Sequence, residues 1–110
     1  MGYAVYIKNI PQTVDYVQQR LYRLSEPIAG RYLDGNTWEY AECGSYDYVV
    51  VSASVVPYSG PECFIFGSDA DGNVLDWNDL KGSQRGSLEF ENTLMRAGYI
   101  VVYETEEIVK

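Results

Sequence analysis

Tyr46-Asp47-Tyr48-Val49-Val50-Val51-Ser52-Ala53-Ser54-Val55-Val56 is the stretch that decides the fold. It is β-branched and aromatic, and its central run is apolar on both faces, as expected of an interior strand. This segment is therefore expected to be the central strand of a sheet, with a helix over one side.

Upstream, Arg31-Tyr32-Leu33 and Thr37-Trp38-Glu39-Tyr40-Ala41 flank Asp34-Gly35-Asn36. An Asp-Gly pair between apolar-aromatic runs predicts a hairpin, because the tight turn needs residues that tolerate positive φ. Further back, Val14, Val17, Leu21 and Leu24 recur at helical spacing, so Thr13 is expected to cap a helix running to about Ser25 and closed by Pro27. Tyr3 to Ile10 alternates as a strand.

Downstream, Pro57 to Pro61 reads as a turn, and Cys63-Phe64-Ile65-Phe66 is expected to pair with Val74-Leu75-Asp76-Trp77 across Asp71-Gly72. Alternation puts Leu75 and Trp77 on one face of that hairpin, where the leucine neighbour suggests that Trp77 enters the core. Lys81 to Gly86 reads as loop. Ser87 is expected to cap a second helix to Ala97, with Leu88, Leu94 and Met95 inward, Gly98 just past its end, and Tyr99 to Tyr103 as the last strand. The predicted architecture is one α+β domain over residues 1–110: a mostly antiparallel sheet of five or six strands with two helices packed on one face.

Composition narrows the function classes. With 46% apolar and 15% aromatic residues, the 110-residue chain can build a core and is not a disordered tail. It contains no histidine, which removes Ser-His and Cys-His catalysis and histidine-ligated zinc. No enzymatic motif stands out, so no catalytic residue and no cofactor is expected. Two cysteines, Cys43 and Cys63, are few for a disulfide scaffold; they form an incomplete zinc set and read as buried free thiols. The start of the chain lacks a basic stretch followed by an apolar run, and no segment reaches the length of a membrane span, so a cytoplasmic protein without membrane contact is expected.

The net charge is −8, which disfavours direct nucleic-acid binding. The charge is segregated: residues 32–80 hold no Lys or Arg, while Asp34, Glu39, Glu42, Asp47, Glu62, Asp69, Asp71, Asp76 and Asp79 all lie there. Hairpins bearing these carboxylates would offer an acidic face to a basic groove, or keep the domain soluble. The candidate partner-binding acids are Glu62, Asp69, Asp71, Asp76 and Asp79. Of the eleven tyrosines, Tyr40, Tyr46 and Tyr58, beside acidic or turn residues, are the ones placed at an interface, since tyrosine gives broad contact area at low entropy cost.

Asp69-Ala70-Asp71-Gly72-Asn73 offers oxygen ligands at alternate positions, but Val74 stands where a calcium loop needs its glycine and Leu80 where it needs its glutamate. A hairpin turn without metal is the better reading. Gly82-Ser83-Gln84-Arg85-Gly86-Ser87 leads into the second helix, where amides and a cation meet. Gly82, Ser83, Arg85, Gly86 and Ser87 are thus the candidates for an alternative role, sequestering an anionic small ligand such as a nucleotide.

Gly60-Pro61-Glu62, Ile65-Phe66, Asp71 through Trp77, Gly82 through Gly86 and Ala97-Gly98-Tyr99 together resemble small uncharacterised bacteriophage proteins over about half the chain. The resemblance implies a viral setting, in which small acidic domains block a host enzyme or defence system. The leading expectation is an interaction protein, in the host cytoplasm, that inhibits a basic host protein. The oligomeric state is left open, with a dimer possible.

Overall fold

The computed structural model describes residues 2–11, 17–34, 37–56 and 60–103. In chain order the elements are β1 (Gly2–Ile10), β2 (Val17–Asp34), β3 (Thr37–Val56), β4 (Gly60–Ser68), β5 (Val74–Asp76), β6 (Gln84–Arg85), α1 (Phe90–Arg96) and β7 (Tyr99–Tyr103). They form one seven-stranded mixed sheet in the order β5-β4-β3-β2-β1-β7, with β6 also on β4. All neighbours are antiparallel except β1 and β7, which run parallel, joined register to register from Gly2↔Tyr99 to Tyr6↔Tyr103.

β3 is interior, as its sequence demands, pairing with β2 on one side and β4 on the other. Val49, Val50 and Val51 are all essentially buried, so both faces of the strand are covered. On one face, Ala4, Tyr22, Leu24, Val49, Val51, Ala53, Cys63, Ile65 and Tyr99 pack with Phe90 and Leu94 of α1. On the other, the paired Leu21, Val50 and Phe66 form a second apolar row. The loop between β4 and β5 reaches across to it: a Cβ added at Gly72, whose φ is +93°, would stand 2.5 Å from Ile10 Cδ1 and 3.8 Å from Leu21 Cδ2. A glycine is required there both by the positive φ and by the close approach.

The segment expected to be the first helix is a strand from Val17 onward, while Thr13 and Val14 lie outside the described residues. Leu21 lies on one face and Tyr22 and Leu24 on the other, all buried, so the doubly covered strand lacks the period-2 alternation that would have betrayed it. Tertiary cover overrides the helical propensity of its Gln, Arg and Leu residues. Pro27 does not end a helix; it is exposed within β2, between Arg23 and Ile28 where the β2–β3 register shifts, and a residue without an N–H is tolerated at such an irregularity. The predicted hairpin about residues 35 and 36 is present, with Asp34 paired to Thr37.

α1 is the only helix among the described residues, so the sheet carries one helix where two were expected. Its cap, Glu89, and its first residue, Phe90, stand two residues later than a Ser87 cap implied. Its buried residues are Phe90, Thr93 and Leu94, which changes the inward face and leaves Leu88 and Met95 exposed. Glu89 occupies the N-cap without a side-chain cap bond, and Ser87 Oγ instead accepts the Glu89 N–H at 3.1 Å. Gly98 takes φ +101° just past the end, as anticipated, and its N–H reaches the Met95 carbonyl at 3.0 Å.

The second hairpin pairs further along than predicted, through Gly67↔Asp76 and Ser68↔Val74. The edge of β4 left over is filled by the returning chain: Leu80 N–H donates to the Ile65 carbonyl, Ser83 Oγ accepts from Ile65 N–H, and β6 pairs Gln84 with Cys63 and Arg85 with Glu62. The outer side of β4 is thus covered, and the strands left at that margin, β5 and β6, are short.

Two measurements follow from this packing. A Cβ at Gly67 would sit 2.4 Å from the Tyr46 ring, so Gly67→Ala should destabilise by about 1–3 kcal/mol in urea unfolding. Burial pushes the Tyr22 hydroxyl up to about 12, the Arg20 guanidinium offsetting part of that rise. Because its folded value exceeds the model-compound value of 10.0, the Tyr22 contribution to stability is complete below pH 10.0 and disappears as pH climbs through about 12. Ultraviolet titration should show the Tyr22→Phe variant lacking the last tyrosinate step.

Candidate partner-binding surface

The β4–β5 hairpin gathers Asp69, Asp71 and Asp76 near Tyr46 of β3, while Glu62 lies at the other end of β4, beside β6. Asp69 organises the turn: its Oδ1 accepts the N–H groups of Asp71 and Asn73 at 2.9 Å each, and its Oδ2 accepts Asn73 Nδ2 at 3.0 Å. The Asn73 side chain and then its backbone hold the Asp69 carboxyl below its usual range. Asp71 is exposed beside it. Asp76 accepts the Asn78 N–H at 2.9 Å and the Tyr46 hydroxyl at 3.3 Å, so this acid and this tyrosine stabilise each other. Burial, followed by the Asp76 charge, raises the Tyr46 hydroxyl. Asp79 is half-buried and engaged, and Glu62 pairs with Arg85 at 3.5 Å. Tyr58 and the Tyr40 side chain lie outside the described residues.

The glycine-serine stretch is tied inward throughout. The Gly82 carbonyl accepts Arg96 Nε at 3.4 Å, Ser83 Oγ holds Ile65, and Gly86 N–H donates to the Pro61 carbonyl at 2.7 Å. Arg85 is spent on Glu62 and lies over the Phe64 ring at 5.5 Å. Ser87 braces Glu89. The Cys63 thiol is free and buried, and burial raises its pKa.

The residues that sequence reasoning placed wrongly are the most conspicuous here. Trp77 is 68% exposed and Leu75 61% exposed, where the core had been expected. The reason is geometric: Gly67↔Asp76 turns Asp76 toward the helix-bearing face, so Leu75 and Trp77 point to the opposite face at the sheet margin, beyond the strands that could cover them. Trp77 leans on Phe66 with centroids 5.1 Å apart, Phe66 meets Phe64 at 6.4 Å, and Arg85 completes the row. An aromatic ladder thus ends in a displayed indole on the same hairpin that carries Asp69, Asp71 and Asp76. A signal was present in the sequence, since Leu75-Asp76-Trp77 sits in a short run between acids and turn residues, too short to be covered on both sides.

Comparison with protein-family models, with curated proteins and with solved structures finds no match for the chain. Among the described residues no helix is long and apolar enough to cross a membrane.

The Asp69 geometry predicts a pH effect. Its folded pKa is depressed below 3.8, so the stability it contributes is present above 3.8 and fades as pH falls through the folded value. Asp69→Asn should flatten that acid limb in a pH series of urea midpoints while leaving the neutral-pH circular dichroism spectrum unchanged.

Proposed function

We propose that this protein is an interaction module whose Leu75–Trp77 margin docks on a partner protein with a basic, apolar-centred surface. The observation that carries the reading is a large indole held outward and supported beneath by Phe66, on a hairpin whose turn and strand carry Asp69, Asp71 and Asp76. Displayed aromatics anchor interfaces because they bury much area with little entropy loss, and charges on the same hairpin steer the encounter. Exposing a tryptophan and a leucine together to water otherwise forgoes their burial, worth about 1.5–3 kcal/mol for a residue of leucine size. In the viral setting that the sequence resemblance implies, such a module acts by occupying a basic host surface and blocking it.

Immobilised chain should retain from cell lysate a set of basic proteins that Trp77→Ala and Leu75→Ala both lose and that raised salt elutes. Both variants should stay folded, and Trp77→Ala should cost only about 1 kcal/mol in urea, the worth of an aromatic edge contact. The reading fails if the variants retain the same proteins as the parent, or if Trp77→Ala unfolds the domain. Reversing Asp71 to lysine should slow association more than it speeds dissociation.

A further inference from the structure

The two margins of the sheet are built oppositely. At one margin the outer side of β4 is covered by β5, by residues 80–83 and by β6, which leaves only two- and three-residue strands outermost, and this margin carries Glu62, Asp69, Asp71, Asp76 and Asp79. The margin at β7 is open: among the described residues no backbone group pairs with its outer side. Nothing in β7 discourages pairing either, for Tyr99-Ile100-Val101-Val102-Tyr103 contains no lysine, no proline and no bulge. The adjoining stretch of β1, Gly2-Tyr3-Ala4-Val5-Tyr6, is also without charge.

We infer that β7 pairs with β7 of a second copy of this chain, antiparallel about Val101, to make a symmetric dimer with one continuous sheet. Three observations commit the edge to this occupant. The strand is close to a palindrome, so a two-fold axis through Val101 sets Ile100 opposite Val102 of the other copy and Tyr99 opposite Tyr103, and each contact is repeated by symmetry as an isologous interface requires. Ile100 and Val102 are 42% and 36% exposed on the face away from α1, beside the exposed Tyr3 of β1, so the pairing buries an apolar row as well as main-chain groups. The charge argument is the third: each copy carries −8, yet the five residues of β7 are uncharged, Glu104, Glu106 and Glu107 following them in the sequence, and the acidic hairpin lies at the far side of the sheet, so pairing through the strand keeps the acidic hairpins furthest apart. The dimer does not depend on the proposed docking at Trp77, but it would display two such hairpins at opposite ends, giving avidity for a repeated partner.

Light scattering behind size-exclusion chromatography, on the full chain over a dilution series, should give twice 12.5 kDa at high concentration and 12.5 kDa when dilute. Ile100→Lys combined with Val102→Lys should be monomeric throughout, with the circular dichroism of the parent. Hydrogen exchange gives a second test on the unaltered protein: amides of residues 99–103 that point away from β1 should slow as concentration rises. A parent of 12.5 kDa at every concentration, a dimer that survives the double lysine variant, or exchange at β7 independent of concentration would each overturn the inference.

Discussion

Three consecutive valines with no contact with water impose the constraint on which the architecture rests. In a strand, neighbouring side chains point to opposite faces, so burying Val49, Val50 and Val51 together obliges the protein to cover both sides of β3. α1 covers one side through Phe90 and Leu94. No second helix covers the other among the described residues; the loop carrying Gly72 folds over Leu21 instead, seated on Ile10. A hairpin enlisted as a lid cannot also bury its own margin, and Leu75 and Trp77 are left facing solvent for that reason.

What the sequence made legible follows the same logic. β3 was readable because β-branched residues in an unbroken apolar run have few other uses, and β7 and the Gly98 stop were readable because a positive φ after a helix selects glycine. β2 was not, since Val17, Leu21 and Leu24 fit a helical stripe while Leu21, Tyr22 and Leu24 fit a strand covered on both faces, and only the partner strands decide between them. The start of α1 was missed by two residues because Ser87 resembles a cap while the cap is Glu89 and the buried face starts at Phe90. Of the candidate site, the acids were found and their roles were not: Asp69 and Asp76 spend their oxygens on the turn and on Tyr46, an assignment that depends on backbone geometry absent from any spacing.

The carboxylates therefore have two duties. Some hold the hairpin rigid, and those left facing water, with Asp71 the clearest, lend the margin its sign. Rigidity matters to recognition because an anchor already fixed in place loses little freedom on binding. Phe66 beneath the indole and the Asp69 bonds that fix the turn of the same hairpin supply that fixation.

The central claim is that Trp77 stands in water on a folded domain. Acrylamide quenching of its fluorescence, in a Trp38→Phe background that leaves Trp77 as the single indole, tests this directly. The account predicts red-shifted emission quenched nearly as readily as a free indole, with cooperative urea unfolding retained. Blue-shifted emission protected from acrylamide until the domain unfolds would contradict it.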